Sequence, residues 1–595
     1  MAPTRADESS EPSAGKPLGP FGSLDRGVRR TLEAALLAVL VTVSVFSVRG
    51  HQRDDSPIMD ETYHLFAGAE YLENGTFWTN LEHPPLVKLL AAAALHPLGA
   101  IPPGAGRTRD VSPHNSFLDW LYHNRARADA LVAAGRRPFP FLLAALVVVV
   151  WAAARRLHGP GAGLLAASLV ALDPSFVGHA GVIHTDVAAS LTMTATVVLV
   201  LLAVERPSLA RWLAAGAGLG LALASKFTAV LLVPLFLLSP LLGAPGPRAR
   251  GQTRDAFLRA ATGLLLSIAV LAGFYAYCLR AMPVERAAGR AAAFLAERGA
   301  DGATAARLSS LSRISPALGH YAAGLAGVVL FSEHGRGANY LMGRVSEEGS
   351  PLYFPVAFLV KSTPAFLALV LALLVLGRRE LLTPRSLAFL VPAAVVFLAA
   401  VRSSFNIGHR HILPVYPLLA VVGAGVLARR LSPRAFAAAA GLLAASAAFS
   451  LQASHPLEIA YFNRLSGGPE RGARWLSDSN LDWGQDLKRL ASELKRRGWE
   501  STTTVVAYSG LATDYFLPSS RVLEPGEPIR PGRYAVSSLI ETVGPSFVET
   551  LSGEEGARQV ADLLRQLRER GRRVGRAGWS ITIWELPPAP GDARP

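Results

Sequence analysis

Long apolar runs constrain this chain more than any other feature of its sequence. The runs are about 17–20 residues long and carry few charges, and a helix of that length crosses a hydrocarbon core about 30 Å thick. Lipid satisfies no backbone polar group, so such a run is expected to fold as a helix. The runs predict a polytopic helical membrane protein with about eleven spans, near residues 31–48, 138–154, 161–177, 187–204, 209–225, 227–242, 260–279, 352–376, 386–401, 412–428 and 435–451.

Composition agrees with a membrane protein and argues against a nucleic-acid partner. Of the 595 residues, 51% are hydrophobic and only 17% are charged, whereas soluble domains average about 25% charged residues. The net charge is +15, but the arginines stand in short clusters between apolar runs, as they do in cytoplasmic loops. We therefore expect these charges to face a lipid bilayer. Cys278 is the only cysteine, which excludes an intrachain disulfide and a cysteine-based metal site.

Basic clusters also predict the orientation. Six of them fall in alternate connections, at Arg26–Arg30, Arg155–Arg156, Arg206–Arg211, Arg248–Arg259, Arg378–Arg385 and Arg429–Arg434. The positive-inside rule then places the N-terminus in the cytoplasm and the loops 49–137 and 280–351 outside. We expect a disordered cytosolic tail over 1–30 with no signal peptide, a membrane domain over 31–451, and location in a bacterial inner (plasma) membrane.

The residues after 452 are polar and are predicted to form a small extracytoplasmic α/β domain. Alternating or continuous apolar patterns predict short strands and amphipathic helices here. The predicted strands are Thr504–Tyr508, Tyr534–Leu539 and Trp579–Leu586, and the predicted helices are Leu487–Arg497 and Ala557–Arg570.

Carboxylates gather in the predicted outer loops. The pair Asp60 and Glu61 follows the first span, and Asp186 opens the fourth. An ionisable residue at membrane depth is costly and indicates function. The ordinary alternatives are a solvated acidic pair and, for Asp186, a helix N-cap. The apolar spacing of Tyr63–Tyr71 and of Leu86–Leu95 predicts two short helices on the outer membrane surface, which would hold the acids at the interface.

Cations and histidines are predicted on the same side. Lys226 lies at an outer turn, where simple snorkelling is the alternative explanation, and Lys361 is about a third of the way into the eighth span, where it needs an anion. The other candidates are Arg402 and Arg410 for phosphate, and His83, His184, His409 and His411 for substrate. Carboxylates suit a general base and cations suit a phosphate leaving group. Histidines near carboxylates also allow a metal, but no spacing is diagnostic, so we expect no cofactor.

These motifs together resemble the family 39 glycosyltransferases, which include protein O-mannosyltransferases and aminoarabinose transferases. The resemblance covers roughly residues 30–430 and rests on Asp60-Glu61, Glu82–Leu86, Asp186, Gly218–Phe227 and Arg410–Pro417. A later stretch, Tyr461–Asn463 with Asp478–Leu487, is similar to a tail of bacterial members whose acceptor is unassigned. The loop 280–351 and the tail do not match the protein O-mannosyltransferases, which weighs against a protein acceptor.

The resemblance implies a GT-C fold and an inverting transfer of a hexosyl or pentosyl group from a polyprenyl-phosphate donor. It makes Asp60 the base candidate, Glu61 an assisting group and Asp186 a second acid. Lys226, Lys361, Arg402 and Arg410 become, in that order, candidates for the carrier phosphate. The acceptor is left open among protein, lipid and polysaccharide.

Two other classes of protein compete with this interpretation. A transporter or flippase would show two related halves and charges near the bilayer midplane, whereas the chain shows no internal repeat and its charges fall at the outer edge. A membrane scaffold with a partner-binding tail gives no reason for the positions of Asp60, Asp186, Lys226 and Lys361.

Overall fold

The computed structural model describes residues 25–102, 113–122, 125–243, 250–334, 338–506 and 513–588. Each predicted apolar segment contains a helix in this structure. In chain order the helices of the first half are α1 Arg26–Asp54, α2 Met59–Ala69, α3 Leu86–Leu95, α4 Pro113–Tyr122, α5 Arg125–Arg136, α6 Phe139–His158, α7 Pro160–Ala171, α8 Pro174–Ala180, α9 Thr185–Glu205, α10 Leu209–Ser225, α11 Leu232–Leu238 and α12 Arg250–Cys278.

The second half adds further helices and two small groups of strands. Its helices are α13 Val284–Glu297, α14 Gly302–Ile314, α15 Pro316–His334, α16 Tyr353–Lys361, α17 Pro364–Leu376, α18 Pro384–Arg402, α19 Val415–Arg430, α20 Pro433–Ser454, α21 Leu487–Arg497, α22 Thr513–Phe516 and α23 Ser538–Arg570. Its strands are β1 Asn339–Leu341, β2 Arg344–Ser346, β3 Thr503–Val506, β4 Arg521–Val522, β5 Gly532–Ser537, β6 Arg572–Ala577 and β7 Ile581–Leu586.

By length and composition, six helices in the described residues are long and apolar enough to cross a membrane, or up to eight spans if two bent pairs count as one each. The remaining predicted spans are short: α10 has 17 residues, α19 has 16, and residues 227–243 alternate between 3-10 and α-helix. The chain is thus a multi-pass helical protein, and the number eleven stays a prediction.

Proline explains both bends. Helices α7 and α8 meet at 59° and α16 and α17 at 116°. Asp173 caps α8 and Thr363 caps α17, and each cap is followed by a proline at the first helical position. Proline has no backbone N–H to donate to the carbonyl of the preceding turn, so it interrupts a helix, but it suits a new helix start. The second bend carries Lys361 at the end of α16, away from the mid-span position that a straight helix would give it.

The N-terminal boundary differs from the predicted one. Helix α1 begins at Arg26, inside the stretch 1–30 that was predicted to be disordered, because the Asp25 side chain accepts a hydrogen bond from the backbone N–H of Gly27 at 2.8 Å. An aspartate in this cap position satisfies an otherwise unpaired amide. Residues 1–24 lie outside the described residues.

The predicted outer helices are present as α2 and α3, and they pack closely. A Cβ on Gly68 would lie 2.2 Å from the backbone oxygen of Lys88, so only glycine permits this approach. The buried Lys88 ammonium donates to the backbone oxygens of Asn80 and His83, both at 2.7 Å, and to the Tyr71 hydroxyl at 2.9 Å. This lysine fixes the loop that carries His83.

The C-terminal residues form the predicted α/β unit. Five strands lie in the order β4-β3-β5-β7-β6, with β3 parallel to β4 and β5, and β7 antiparallel to β5 and β6. The amphipathic α21 and the end of α23 occupy the two predicted helical segments. Residues 507 and 508 of the first predicted strand lie outside the described residues.

The segment 478–489 attaches this unit to the helices. Gln485 accepts at its backbone oxygen from the Ser56 amide at 2.9 Å, and Gly484 accepts from the Ser56 hydroxyl at 2.7 Å. The Arg489 guanidinium lies 2.5 Å from an Asp55 oxygen and 2.6 Å from an Asp486 oxygen. Both carboxylates are almost fully buried, and Arg489 compensates them together with His51, which lies 3.1 Å from Asp55, and Ser580, which donates to Asp486.

Replacing Arg489 is expected to destabilise the protein in a pH-dependent way. Burial raises the pKa of Asp55 to about 6, although His51 and Arg489 oppose it, so the carboxylate is ionised above that pH. In Arg489→Met it loses the arginine and keeps the His51 contact at 3.1 Å, and breaking a buried pair costs about 3–5 kcal/mol. The loss should be largest above pH 7 and shrink towards pH 5, where Asp55 becomes protonated. Thermal unfolding of the purified variant across this range measures it.

Arg496→Met is the matched control, because Arg496 pairs with Glu493 at 2.8 Å on an exposed face of α21. Exposed pairs contribute little. Equal destabilisation in the two variants, or no pH dependence in Arg489→Met, would contradict the role given to Arg489.

Candidate active site

A cavity of about 430 Å³ opens between the ends of the helices and the C-terminal unit. Its lining combines ionisable and histidine side chains with aliphatic side chains of the 3-10 turn 227–231, α15 and α18. The first group, called the polar end below, is Asp60, His83, His184, Lys226, Arg410 and His411, and the second, called the apolar end, is Val230, Leu231, Leu325, Val328, Val329, Val396, Ala399 and Ala400.

Asp186 links three of the predicted residues. It lies in the first turn of α9, and its carboxylate accepts from the Lys226 ammonium on one oxygen and is 2.6 Å from His184 Nδ1 on the other. His184 is the N-cap residue of the same helix. The other ring nitrogen, Nε2, lies 3.3 Å from an Asp60 oxygen. The chain Lys226–Asp186–His184–Asp60 therefore crosses the polar end of the cavity without a break.

Arg410 closes this chain from the opposite wall. It lies in a 3-10 turn, His409–Ile412, and its Nη1 is 3.1 Å from Asp60 Oδ2 and 3.0 Å from His184 Nε2. Its guanidinium carbon lies 4.1 Å from the ring centre of Trp483, which holds the group flat against the C-terminal segment. The Arg410 Nε has no hydrogen-bond partner among the described residues.

Asp60 is the most accessible carboxylate of this group, with 31% of its side chain exposed. Partial burial favours the neutral acid, but the hydrogen bond from His184 and the Arg410 guanidinium hold the pKa of Asp60 well below its ordinary value. Asp60 is therefore ionised at neutral pH and faces the cavity. It has the position and charge that a general base needs.

Glu61 points away from the cavity. Both of its oxygens bond to the Arg136 guanidinium, at 2.8 and 2.6 Å, and they also accept from the backbone amides of Ile58 and Ile183. The pair is completely buried. Arg136 donates in addition to the backbone oxygens of Asp55 and Ser56. Glu61 thus joins α2 to the end of α5 and to the start of α9, next to the site.

Two of the phosphate candidates also lie elsewhere. The Lys361 ammonium donates to the backbone oxygens of Ile459 and Asn480, at 3.0 and 2.7 Å, and lies 4.6 Å from the ring centre of Phe462. It attaches the C-terminal segment to α16. Arg402 is exposed at the end of α18 and does not line the cavity.

The predicted histidines separate into two groups. His83, His184 and His411 line the cavity. His409 is buried behind it, where its Nε2 lies 2.5 Å from the Tyr416 hydroxyl and its backbone amide donates to Asn480 Oδ1 at 2.9 Å. His409 therefore supports the turn that presents Arg410.

Sequence reasoning missed several residues that shape the site. Nothing in the local sequence indicates a role for Arg136 or Trp483, because their partners, Glu61 and Arg410, are 75 and 73 positions away along the chain. The position of His64 does indicate one, because it lies four residues after Asp60 on α2 and therefore shares a helix face with Asp60. Its ring stands 5.1 Å from that of His83 and 5.2 Å from that of His184.

Residues 133–272 match the family model for dolichyl-phosphate-mannose-protein mannosyltransferases. The resemblance to family 39 glycosyltransferases is confirmed. The matched stretch contains Asp186 and Lys226, the acid and the cation that meet at the cavity, and it ends before Arg410. It supports a membrane glycosyltransferase and not a transporter. No curated protein matches the chain in sequence.

Several solved structures are similar in fold. ArnT from Cupriavidus metallidurans in the apo state is 12% identical, with a TM-score of 0.48 over 94% of this chain and 98% of that one. The oligosaccharyltransferase of Archaeoglobus fulgidus is 14% identical, with a TM-score of 0.48 over 91% of this chain and 69% of that one. The S. cerevisiae Pmt1-Pmt2 complex bound to the sugar donor is 19% identical, with a TM-score of 0.33 over 42% of this chain and 34% of that one.

Glu61→Gln is expected to destabilise the protein, because it leaves the buried Arg136 guanidinium without a counter-charge, at a cost of about 3–5 kcal/mol. Asp60→Asn is the control, since Asp60 is partly exposed and Arg410 keeps its contact with Trp483. Thermal unfolding in detergent should show a large drop for Glu61→Gln and a small one for Asp60→Asn. A stable but inactive Glu61→Gln would instead return Glu61 to the assisting role predicted from the sequence.

Proposed function

We propose that this membrane glycosyltransferase takes its sugar from a polyprenyl-phosphate donor and transfers it, with inversion, to an acceptor hydroxyl on the outer face of the membrane. The observation that carries the proposal is one cavity whose lining combines a carboxylate and two cations with a set of aliphatic side chains. A lipid carrying a phosphate needs both surfaces, and the acceptor needs the base.

The aliphatic end suits the first isoprene units of the carrier. Val328 of α15 and Val396 of α18 both line the cavity, and burial of apolar surface contributes about 25 cal/mol per Å². The phosphate then lies near Lys226 and Arg410. Lysine binds phosphate as a point charge, whereas arginine offers a planar fork with several donors.

Asp60 acts on the acceptor. As its carboxylate takes the proton of the hydroxyl, the acceptor oxygen bonds to the anomeric carbon and the bond from that carbon to the phosphate oxygen breaks. The leaving phosphate gains negative charge, which Lys226 and Arg410 stabilise. Arg410 also keeps the pKa of Asp60 low before the donor arrives. When Arg410 binds the donor phosphate, its contact with Asp60 weakens. The pKa of Asp60 then rises, and the carboxylate becomes a stronger base.

This arrangement indicates the chemical classes of the transferred sugar and of the acceptor. The sugar is a hexosyl or pentosyl group, and the acceptor is a hydroxyl of a lipid, polysaccharide or protein. Asp478 and Asp482 of the C-terminal segment also line the cavity, so this segment contributes two further carboxylates to the site. Glu82, which also lines the cavity, is paired with Arg298 at its rim.

Asp60→Asn tests the base. The amide keeps the size of the side chain but takes no proton, so turnover should fall about 100-fold or more, with donor binding little changed. Transfer of labelled sugar from a polyprenyl-phosphate donor to a membrane extract measures turnover. Near-normal turnover in this variant would remove Asp60 from the mechanism.

Lys226→Gln, combined with Asp186→Asn, tests the phosphate site. The single Lys226 variant loses the attraction for phosphate but also strands the buried Asp186 carboxylate. The double variant removes both charges and so separates the two effects. If Lys226 meets the donor phosphate, donor affinity and turnover should both stay impaired in the double variant. Recovery to wild-type kinetics would mean that Lys226 only neutralises Asp186.

The proposed orientation places the cavity and the C-terminal unit outside the cytoplasm, in a bacterial inner membrane. Cysteines introduced at the exposed Glu333 and Ser501 should react with a membrane-impermeant thiol reagent in intact cells, whereas those at Arg379 and Arg434 should not. Cys278 is buried, so the background is low. Labelling at Arg379 from outside would reverse the orientation.

A further inference from the structure

Three histidines converge at the polar end of the cavity from separate parts of the chain. His64 comes from α2, His83 from the loop before α3, and His184 from the N-cap of α9. Their rings form a nearly equilateral triangle, with centre-to-centre distances of 5.1, 5.2 and 5.6 Å. One nitrogen from each lies within 4.8 Å of the other two.

His64 has no partner that explains it. Its side chain is fully buried, and neither ring nitrogen makes a hydrogen bond within the described residues. A buried polar atom without a partner costs about 1–3 kcal/mol, and native proteins rarely leave one. Edge-to-face packing on His184 occupies the ring faces but leaves the nitrogens unpaired. The ring is therefore aimed at a group that the protein itself does not supply.

His184 already has the outer partner that metal-binding histidines use. Its Nδ1 lies 2.6 Å from Asp186 Oδ2, a contact that orients the ring, and a bound ion would replace the present contacts of Nε2 with Asp60 and Arg410. Asp60 lies 3.3 Å from that nitrogen. Two ligands at 2.0–2.1 Å from a tetrahedral metal are separated by about 3.3 Å, so Asp60 stands where a fourth ligand or a metal-bound hydroxyl would be.

We propose that His64, His83 and His184 form a binding site for a divalent transition-metal ion of the zinc class, next to Asp60. Imidazole ligands favour Zn²⁺ and Co²⁺ over Mg²⁺ and Ca²⁺, which prefer oxygen. Small rotations of the three rings would bring one nitrogen of each histidine within bonding distance of a single ion. Binding of the ion also needs Arg410, now 3.0 Å from His184 Nε2, to keep only its contacts with Asp60 and Trp483.

A metal ion here would polarise an acceptor hydroxyl and lower its pKa, while Asp60 still receives the proton. This part rests on the proposed function, but binding of the ion does not. The sequence alone favoured no metal, because the three histidines are 19 and 101 residues apart along the chain.

The test uses the full chain purified in detergent, stripped with a chelator and dialysed against Zn²⁺ or Co²⁺. We expect one ion per chain by elemental analysis, and with Co²⁺ the visible absorption of a tetrahedral site. His64→Phe should bind at least 100-fold more weakly. His320→Phe is the matched control, since His320 is equally buried but belongs to α15, and it should bind like the wild type.

Unfolding temperatures of the stripped proteins show whether each variant folds. If His64→Phe does not fold, His83→Gln replaces it, because His83 is only partly buried and its substitution removes one ligand. The metal site would be overturned if the wild type bound no stoichiometric ion, or if the His64 and His83 variants bound the ion as tightly as the wild type. Binding is measured without turnover, so this result is separate from any failure of the glycosyltransferase assay.

Discussion

The Asp186 carboxylate is the interaction on which the site depends. It is completely buried at the start of α9, where an ionised group is costly unless it is paired and hydrogen-bonded. Lys226 supplies the pair from the turn after α10, and His184 supplies the hydrogen bond from the turn before α9. Two helical connections are thereby locked together, and the far side of the imidazole is turned towards Asp60. The position of the proposed base follows from a residue that does not itself line the cavity.

A second buried ion pair, Glu61 with Arg136, links the chain segments next to the site in the same way. Glu61 and Arg136 bind each other through two parallel hydrogen bonds and satisfy backbone groups on α1, α2 and the turn before α9. The two adjacent acids of α2 therefore have different roles. The Asp60 side chain faces the cavity, whereas the Glu61 side chain faces the protein interior. Successive residues of a helix point about 100° apart, so an acidic pair on one helix can serve two sites but seldom one.

Hydropathy and charge predicted the helical segments, the C-terminal strands and the residues Asp60, Asp186, Lys226 and Arg410, because each of these signals is local. The parts that could not be predicted depend on distant partners or on breaks in a helix. Lys361 seemed to need an anion in mid-span, but the bend before Pro364 brings it to backbone oxygens of the tail. Arg402 shares a basic loop with Arg410, but the two arginines differ in burial. The turn that begins after Gly408 buries Arg410 in the site, whereas Arg402 stays exposed at the end of α18.

The charge balance of the polar end indicates what an ion bound to the three histidines would contribute. The polar end holds two carboxylates, Asp60 and Asp186, and two cations, Lys226 and Arg410, which together come to no net charge. A polyprenyl-phosphate donor adds one negative charge and develops a second as its bond to the sugar breaks. Both cations are already engaged with carboxylates, so they stabilise the phosphate only by loosening those contacts. A divalent ion on the three histidines would supply the missing positive charge without breaking the pair that holds Asp186 in place.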